Sequence, residues 1–239
     1  MVQQFDGKVR FVVENYGQSK LAAKFGVTRY PAIFVDDVLV ATPNDFGFYG
    51  KGDGQSGGRY APLLSAASHD RFRADLTRML NLVLAGKTDV ARKQAANAAP
   101  NEIASMPAIH ITDLDGKPLT REQLAGRVVL IEFWATWCPP CRGTLQWLGT
   151  LRKTYGDRIA VVGIAVESQE ADVRKLTREL ALPVRWAMAT PELARSFGDI
   201  SAVPTLFLFD RGGKTAHVFY GAPPALHAEV ERTLTAALR

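Results

Sequence analysis

Cys138 and Cys141 are the only cysteines in the chain, and two prolines separate them. A C-x-x-C pair can shuttle between dithiol and disulfide, or it can supply soft ligands to a metal ion. Zinc wants four ligands, yet there is no second C-x-x-C and no H-x-x-x-H, and the four histidines stand apart at 69, 110, 217 and 227. Redox exchange is therefore the expected chemistry, with no metal and no cofactor. Leu145, Trp147, Leu148 and Leu151 follow at helical spacing, which places Cys138 at or just before a helix N-terminus. Unpaired N–H groups and the helix dipole favour a thiolate there, and they lower a cysteine pKa from about 8.5 into the range of about 3.5 to 7.5. Cys138, expected to be the more exposed thiol, is the nucleophile, and Cys141, one turn on, resolves the mixed disulfide.

Glu132 is the third candidate. It lies six residues before Cys138, inside the apolar run V-V-L-I-E-F-W. It could be a surface charge at a strand end; within such a run, however, an unpaired carboxylate is costly. Burial would raise its pKa and let it take the Cys141 proton as that thiol attacks.

The elements that must position these groups follow from periodicity. The uninterrupted apolar run at 128–134 is the pattern of a strand buried on both faces. A second such strand is expected at 159–166, helices at 171–180 and 191–197, a hairpin from 205–209 and 216–220, and a closing helix at 224–238. Residues 110–120 have strand, turn and strand character around Asp115-Gly116. Earlier in the chain, 9–13 is β-rich, 19–25 is a short helix closed by Gly26, 32–35 and 38–41 form a hairpin, and 70–86 is an amphipathic helix. The Gly-rich stretch 42–58 is expected to be a loop, because its glycines are too frequent and unpatterned for an element, and it lacks the Lys-Ser/Thr that a phosphate-binding P-loop needs. This pattern predicts an α/β protein: a mixed central sheet flanked by helices over 105–239, a linker at 91–104, and a smaller domain at 1–90.

With 239 residues, 47% of them hydrophobic, the chain can bury a full core and two domains. Its net charge of +5 is spread evenly, without the basic run or aromatic-basic stripe of a nucleic-acid site. The sequence contains no stretch of about 18 or more apolar residues. Its start, M-V-Q-Q-F-D-G-K, lacks the regions of a signal peptide, so export or a membrane tether would need a segment beyond this sequence.

At W-C-P-P-C the chain resembles the thioredoxin superfamily, and residues 105–239 look like the TlpA/ResA/CcmG-type thiol-disulfide oxidoreductases of the bacterial cell envelope. The motifs that carry the resemblance are D-L-D-G-K-P-L at 113–119, F-W-A-T-W-C-P-P-C-R at 133–142, V-V-G-I-A-V-E at 161–167 and A-V-P-T at 202–205. The resemblance implies a thioredoxin fold and a periplasmic or extracytoplasmic location, with or without a membrane anchor. It also implies reduction of disulfides in partner proteins, whether an apocytochrome in cytochrome c biogenesis, a copper-site protein or another thiol enzyme, and an upstream thiol reductant. It further implies a cis peptide between Val203 and Pro204, opposite the dithiol, where the Val203 backbone can pair with an extended substrate. Pro139 and Pro140 would shape the helix start, Trp137 would be exposed contact surface, and Trp134 would be core. The chain departs from the family at Thr144 and Gln146, where a Glu and a Pro are common. Two rivals stand beside a reductase: a disulfide oxidase or isomerase, and a Cu(I)-binding chaperone or adaptor, although Met1, Met79, Met106 and Met188 form no Met-rich tract.

The sequence also contains an internal repeat. Leu21-Ala22-Ala23-Lys24-Phe25-Gly26 matches Leu193-Ala194-Arg195-Ser196-Phe197-Gly198, and each is followed by a proline, Pro31 or Pro204, ahead of an apolar strand. The N-terminal part is accordingly expected to be a partial, cysteine-free thioredoxin-like domain that serves in docking or homodimerisation, or a duplicate that only stabilises the second domain.

Overall fold

The structure, a computed structural model, describes residues 2–15, 19–27, 32–41, 66–96, 103–198, 200 and 202–239. The chain divides into two compact units, Met1–Asn101 and Glu102–Arg239. The expected loop at 42–58 and the Tyr30-Pro31 pair lie outside the described residues.

The first unit begins with a short 3-10 turn, Val2–Phe5, followed by helix α1 (Lys20–Lys24), strands β1 (Ile33–Val35) and β2 (Val38–Ala41), and helices α2 (Ala66–Leu84) and α3 (Thr88–Ala96). Ser19 caps α1 by accepting the Ala22 N–H at 2.8 Å, and the helix closes at Gly26, whose φ of +63° suits a residue without Cβ. The two strands pair antiparallel, and Val35, Val38 and Val40 form a small core with Phe5, Met79, Leu80 and Ala91.

Two expectations for this unit need correction. Residues 9–13 form no strand: Phe11, Val12 and Val13 are exposed, and no described strand pairs with them. Their β-rich composition expresses a fit to a packed pleated surface, which is missing here. Residues 91–96, assigned to the linker, belong to α3, and Ala91 is fully buried. Ala, Arg, Lys and Gln are all strong helix formers, and a small buried residue lets this helix lie close against the rest of the unit.

The second unit opens with the antiparallel hairpin β3 (His110–Thr112) and β4 (Pro118–Thr120), then the single-turn helix α4 (Arg121–Leu124). Its body alternates β5 (Val128–Trp134), α5 (Pro139–Tyr155), β6 (Ile159–Ala165), α6 (Glu170–Leu180), β7 (Arg185–Met188) and α7 (Pro191–Ser196), then ends in β8 (Thr205–Phe209), β9 (Thr215–Tyr220) and α8 (Leu226–Ala237). The sheet runs in the order β7-β6-β5-β8-β9; β5, β6 and β7 are parallel, and β8 and β9 are antiparallel to their neighbours. This is the mixed central sheet of a thioredoxin fold. Every residue of β5 and β6 is buried, as expected of strands covered on both faces.

Alternation along β5 sends Val128, Leu130, Glu132 and Trp134 to one face and Val129, Ile131 and Phe133 to the other. Val128 and Leu130 share a core with Leu148 and Leu151 of α5 and with Leu226, Val230 and Leu234 of α8. Phe133, on the opposite face, meets Phe197 edge-on at 5.0 Å and Phe207 at 5.9 Å; each such pair adds about 0.5 to 1.5 kcal/mol beyond its buried area.

The β3–β4 hairpin is fastened to β7 by one buried carboxylate. Asp113 accepts two hydrogen bonds from the Arg185 guanidinium, at 2.6 and 3.1 Å, and the Asp115 and Lys117 amides donate to its other oxygen. Burial pushes the Asp113 carboxyl up, but the Arg185 hydrogen bond, the amides and the guanidinium charge outweigh it and hold the group below the usual carboxylate range. Because the folded pKa is depressed, this contribution is present above the unfolded value of about 3.8 and is lost as pH falls through the folded one. Breaking a buried pair costs about 3 to 5 kcal/mol, but Arg185 would remain partly wet. Asp113→Ala should therefore lose about 2 kcal/mol in denaturant unfolding at pH 7, and progressively less as the pH falls below 3.8.

Candidate active site

Strand β5 ends at Trp134, and four residues later the chain enters α5 with Cys138 as its N-cap. Pro139 and Pro140 are the first two helical residues, where a missing N–H costs nothing and the fixed φ suits the helix. The Cys138 sulfur caps the helix by accepting the Cys141 N–H at 3.3 Å. Cys138 and Cys141 form a disulfide, so this is the oxidised state of the pair. Cys138 is only 3% exposed, and Cys141 is fully buried. The order of exposure is the expected one, but the degree is not: in the disulfide form neither sulfur stands open to solvent.

The surroundings of the pair differ in character. Pro139 and Pro140 are exposed, and Trp137 is 56% exposed, whereas Trp134 is fully buried. The Trp137 ring is held by its own N–H, which donates to the Glu167 carbonyl at 3.0 Å. Next to it, Ser168 Oγ accepts the Thr136 N–H at 3.0 Å and donates to the Val166 carbonyl at 2.9 Å. The loop after β6 thus clips the segment that carries the cysteines. Sequence reasoning missed Ser168; the only signal was its place directly after the V-V-G-I-A-V-E motif.

Glu132 is fully buried, and neither carboxylate oxygen has a hydrogen-bond partner among the described residues. Burial alone pushes its carboxyl well above the usual range. Cys141, Leu145 and Leu148 are four and three residues apart on one buried stripe of α5, and Leu148 shares a core with Leu130. The sheet face that carries Glu132 therefore faces the side of α5 that carries Cys141. At the position of the common family Glu, Thr144 is buried and donates its hydroxyl back to the Pro140 carbonyl at 3.2 Å, while Gln146 is exposed.

Val203-Pro204 is cis. The antiparallel register Phe133↔Thr205 puts Pro204 at the end of the sheet from which β5 leads towards Cys138, so both reach the same sheet edge.

The family profile described as Redoxin matches residues 101–236. The chain belongs to the Redoxin family. Among curated relatives of this Redoxin chain, a thiol-disulfide oxidoreductase ResA of Bacillus anthracis is 28% identical over 135 residues, 56% of this chain and 73% of that protein. The thioredoxin-like protein YneN of Bacillus subtilis (strain 168) is 28% identical over 120 residues, 48% of this chain and 69% of that protein. Among solved structures, a thiol:disulfide interchange protein of the thioredoxin family from Chlorobium tepidum TLS superposes with a TM-score of 0.53 at 33% identity, covering 59% of this chain and all of that one. With a Cys-x-x-Cys disulfide at the N-cap of its sheet-covering helix, this Redoxin member is a TlpA/ResA-like thiol-disulfide oxidoreductase.

Proposed function

We propose that this protein reduces disulfides in extracytoplasmic partner proteins, with Cys138 as nucleophile, Cys141 as resolving thiol and Glu132 as the group that takes the Cys141 proton. The observation that carries the reading is the asymmetry of the pair. Cys138 caps a helix beside exposed Trp137, Pro139 and Pro140, while Cys141 is fully buried, on the side of α5 that faces the sheet. A nucleophile needs the helix N-terminus and an approach for substrate; a resolving thiol needs only its partner sulfur and a base. Val203 and Pro204, at the same sheet edge, would contact the substrate chain together with Trp137.

A reductase must be returned to the dithiol by an upstream thiol donor. The direction of electron flow is set by potential: a reductant lies near about −270 mV and a strong oxidant near about −120 mV. Equilibration with a glutathione or dithiothreitol series should place the Cys138–Cys141 couple near the reducing end. A value near the oxidising end would reverse the assignment. Among the described residues, no helix is long and apolar enough to cross a membrane, so an anchor would have to come from elsewhere in the protein.

For the first unit, the proposal is a redox-inactive thioredoxin-like module that serves in docking or homodimerisation. It contains no cysteine, and its order of helix, antiparallel strand pair and helix (α1, β1, β2, α2) repeats α7, β8, β9, α8 of the second unit. The matched residues around Phe25 and Phe197 each precede a glycine at positive φ, +63° at Gly26 and +85° at Gly198. Residues 102–239, with a sheet and core of their own, should keep full activity towards an unspecific disulfide such as insulin and lose self-association or partner selectivity. Unchanged self-association and selectivity would leave the first unit a mere stabiliser.

A further inference from the structure

Four buried side-chain polar atoms among the described residues have no hydrogen-bond partner, and three belong to neighbours on one face of β5: both carboxylate oxygens of Glu132 and the indole Nε1 of Trp134. Buried polar groups are seldom left unpaired, and here one donor and two carboxylate oxygens are orphaned together.

The packing explains why they converge. Glu132 pairs in register with Gly163 on β6, and Gly163 pairs with Trp186 on β7, so the three share a row across the sheet. The missing side chain at Gly163 is space that two indoles use. A Cβ there would lie 2.4 Å from the Trp186 ring and 3.2 Å from Trp134 Nε1. The two rings meet edge-on, with centroids 5.6 Å apart. The Trp134 N–H is therefore turned back along the sheet onto the position beside Glu132. The two are not hydrogen-bonded in this structure; Nε1 lies over Gly163, the register partner of Glu132 one strand, about 4.8 Å, away. A glycine inside a strand often marks such a close approach.

We propose that Trp134 is a positioning residue for Glu132: its indole N–H is the hydrogen-bond donor that receives the Glu132 carboxylate when the carboxyl ionises, and Gly163 exists to let it reach. This rests on the reading of Glu132 as the proton acceptor. Trp186 also reaches Gly163, but with its carbon edge, Cε3 and Cζ3, rather than with its N–H. Glu132 is flanked by Gly163 and Leu206 in register, and the α8 side chains over this face, Leu226, Val230 and Leu234, are apolar. Thr144 spends its hydroxyl on Pro140, and no charged side chain contributes to the Glu132 titration. Among the described residues, Tyr155 is the titratable side chain packed against this core, and His227 of α8, exposed, stacks on Trp147 of α5 with ring centroids 4.0 Å apart.

In the step that uses it, the Cys141 thiol gives its proton to the Glu132 carboxylate, and the resulting thiolate attacks Cys138 Sγ in the mixed disulfide. The substrate sulfur leaves with the electron pair of the broken S–S bond, and Glu132, now neutral, no longer needs the indole donor. A donor that stabilises only the ionised carboxyl keeps an otherwise forbidden base accessible, at one bond to one charged group.

The test follows the Glu132 carboxyl by infrared difference spectroscopy of the reduced protein across pH, with Glu132→Gln identifying the band. Trp134→Phe, which keeps a ring but removes the N–H, should move the titration up by about one to two pH units and move the pH profile of the resolving step with it. A merely structural tryptophan would lower the thermal midpoint and leave the titration in place, and that result would overturn the proposal. The wild-type protein gives a second reading if the variant does not fold. The ultraviolet resonance Raman band for indole N–H bonding should gain a bonded component as Glu132 ionises, and its absence would also overturn the proposal. The two readings fail separately: an unimpaired resolving step in Glu132→Gln removes the base while the hydrogen bond stands, and an unmoved titration in Trp134→Phe removes the hydrogen bond while the base stands.

Discussion

Replacing Cys141 by serine should turn the protein from a catalyst into a trap: one covalent adduct through Cys138 should accumulate with each disulfide substrate, and turnover should fall to the uncatalysed rate. On the proposed roles, the Cys138 thiolate attacks a substrate disulfide, one substrate sulfur leaves as a thiol, and the other stays bonded to Cys138. Release needs a second thiolate at Cys138 Sγ, and Cys141, which caps back onto that sulfur through its own amide, is the group in place to supply it. In one cycle the pair loses two electrons and closes the disulfide seen here, while the substrate gains two thiols. Cys138→Ser should form no adduct, because Cys141 is fully buried, whereas the exposed residues Trp137, Pro139 and Pro140 flank Cys138. Mass spectrometry of both variants after incubation with an excess of disulfide peptide reads the outcome. Adducts on Cys141 in Cys138→Ser would exchange the two roles.

How much of this was legible in the sequence depended on whether a residue's role is local. The cysteine-bearing helix start was legible, because N-capping, proline at the first helical positions and the stripe through Leu145 and Leu148 are all short-range signals. The burial of Glu132 was legible for the same reason: it interrupts an apolar run. Strand β7 was not. Its four residues, Arg185–Met188, include a guanidinium and an indole, and they form a strand because β6 offers a parallel edge and Asp113 offers a carboxylate from 72 residues away. Residues 9–13 erred the other way, with β-branched side chains and no strand beside them. The near burial of Cys138 was also unreadable, since exposure depends on how the helix start, the cis-proline edge and the disulfide fit together. Gly163 was visible as a glycine in a strand, but what it admits, the edges of Trp134 and Trp186, appears only once three strands are aligned.

Glu132→Gln should slow the resolving step by up to about 10²-fold near neutral pH while making the oxidised protein more stable as pH rises. The two effects have one cause. Burial pushes the Glu132 carboxyl well above 4.5, the value it returns to when the chain unfolds. Between those two values the native state holds one more proton than the unfolded state. Stability is therefore fully present below about 4.5 and falls as pH rises towards the folded pKa, by about 1.4 kcal/mol per pH unit. Glutamine has nearly the same shape but no proton to lose, so the variant's thermal midpoint should match wild type near pH 4 and gain on it steadily above. On the proposed role of Glu132, the same removal deprives Cys141 of its base. The wild-type resolving rate should climb as Glu132 ionises, whereas the variant's should climb only where the Cys141 thiol loses its proton unaided, at higher pH. Single-turnover release from a preformed Cys138 mixed disulfide, followed from pH 6 to 9 beside thermal unfolding of the oxidised form, measures both. A resolving rate that is equal in the two proteins across that range would leave Glu132 a buried acid without a catalytic part, and a midpoint that does not gain with pH would mean that its carboxyl titrates as an exposed one.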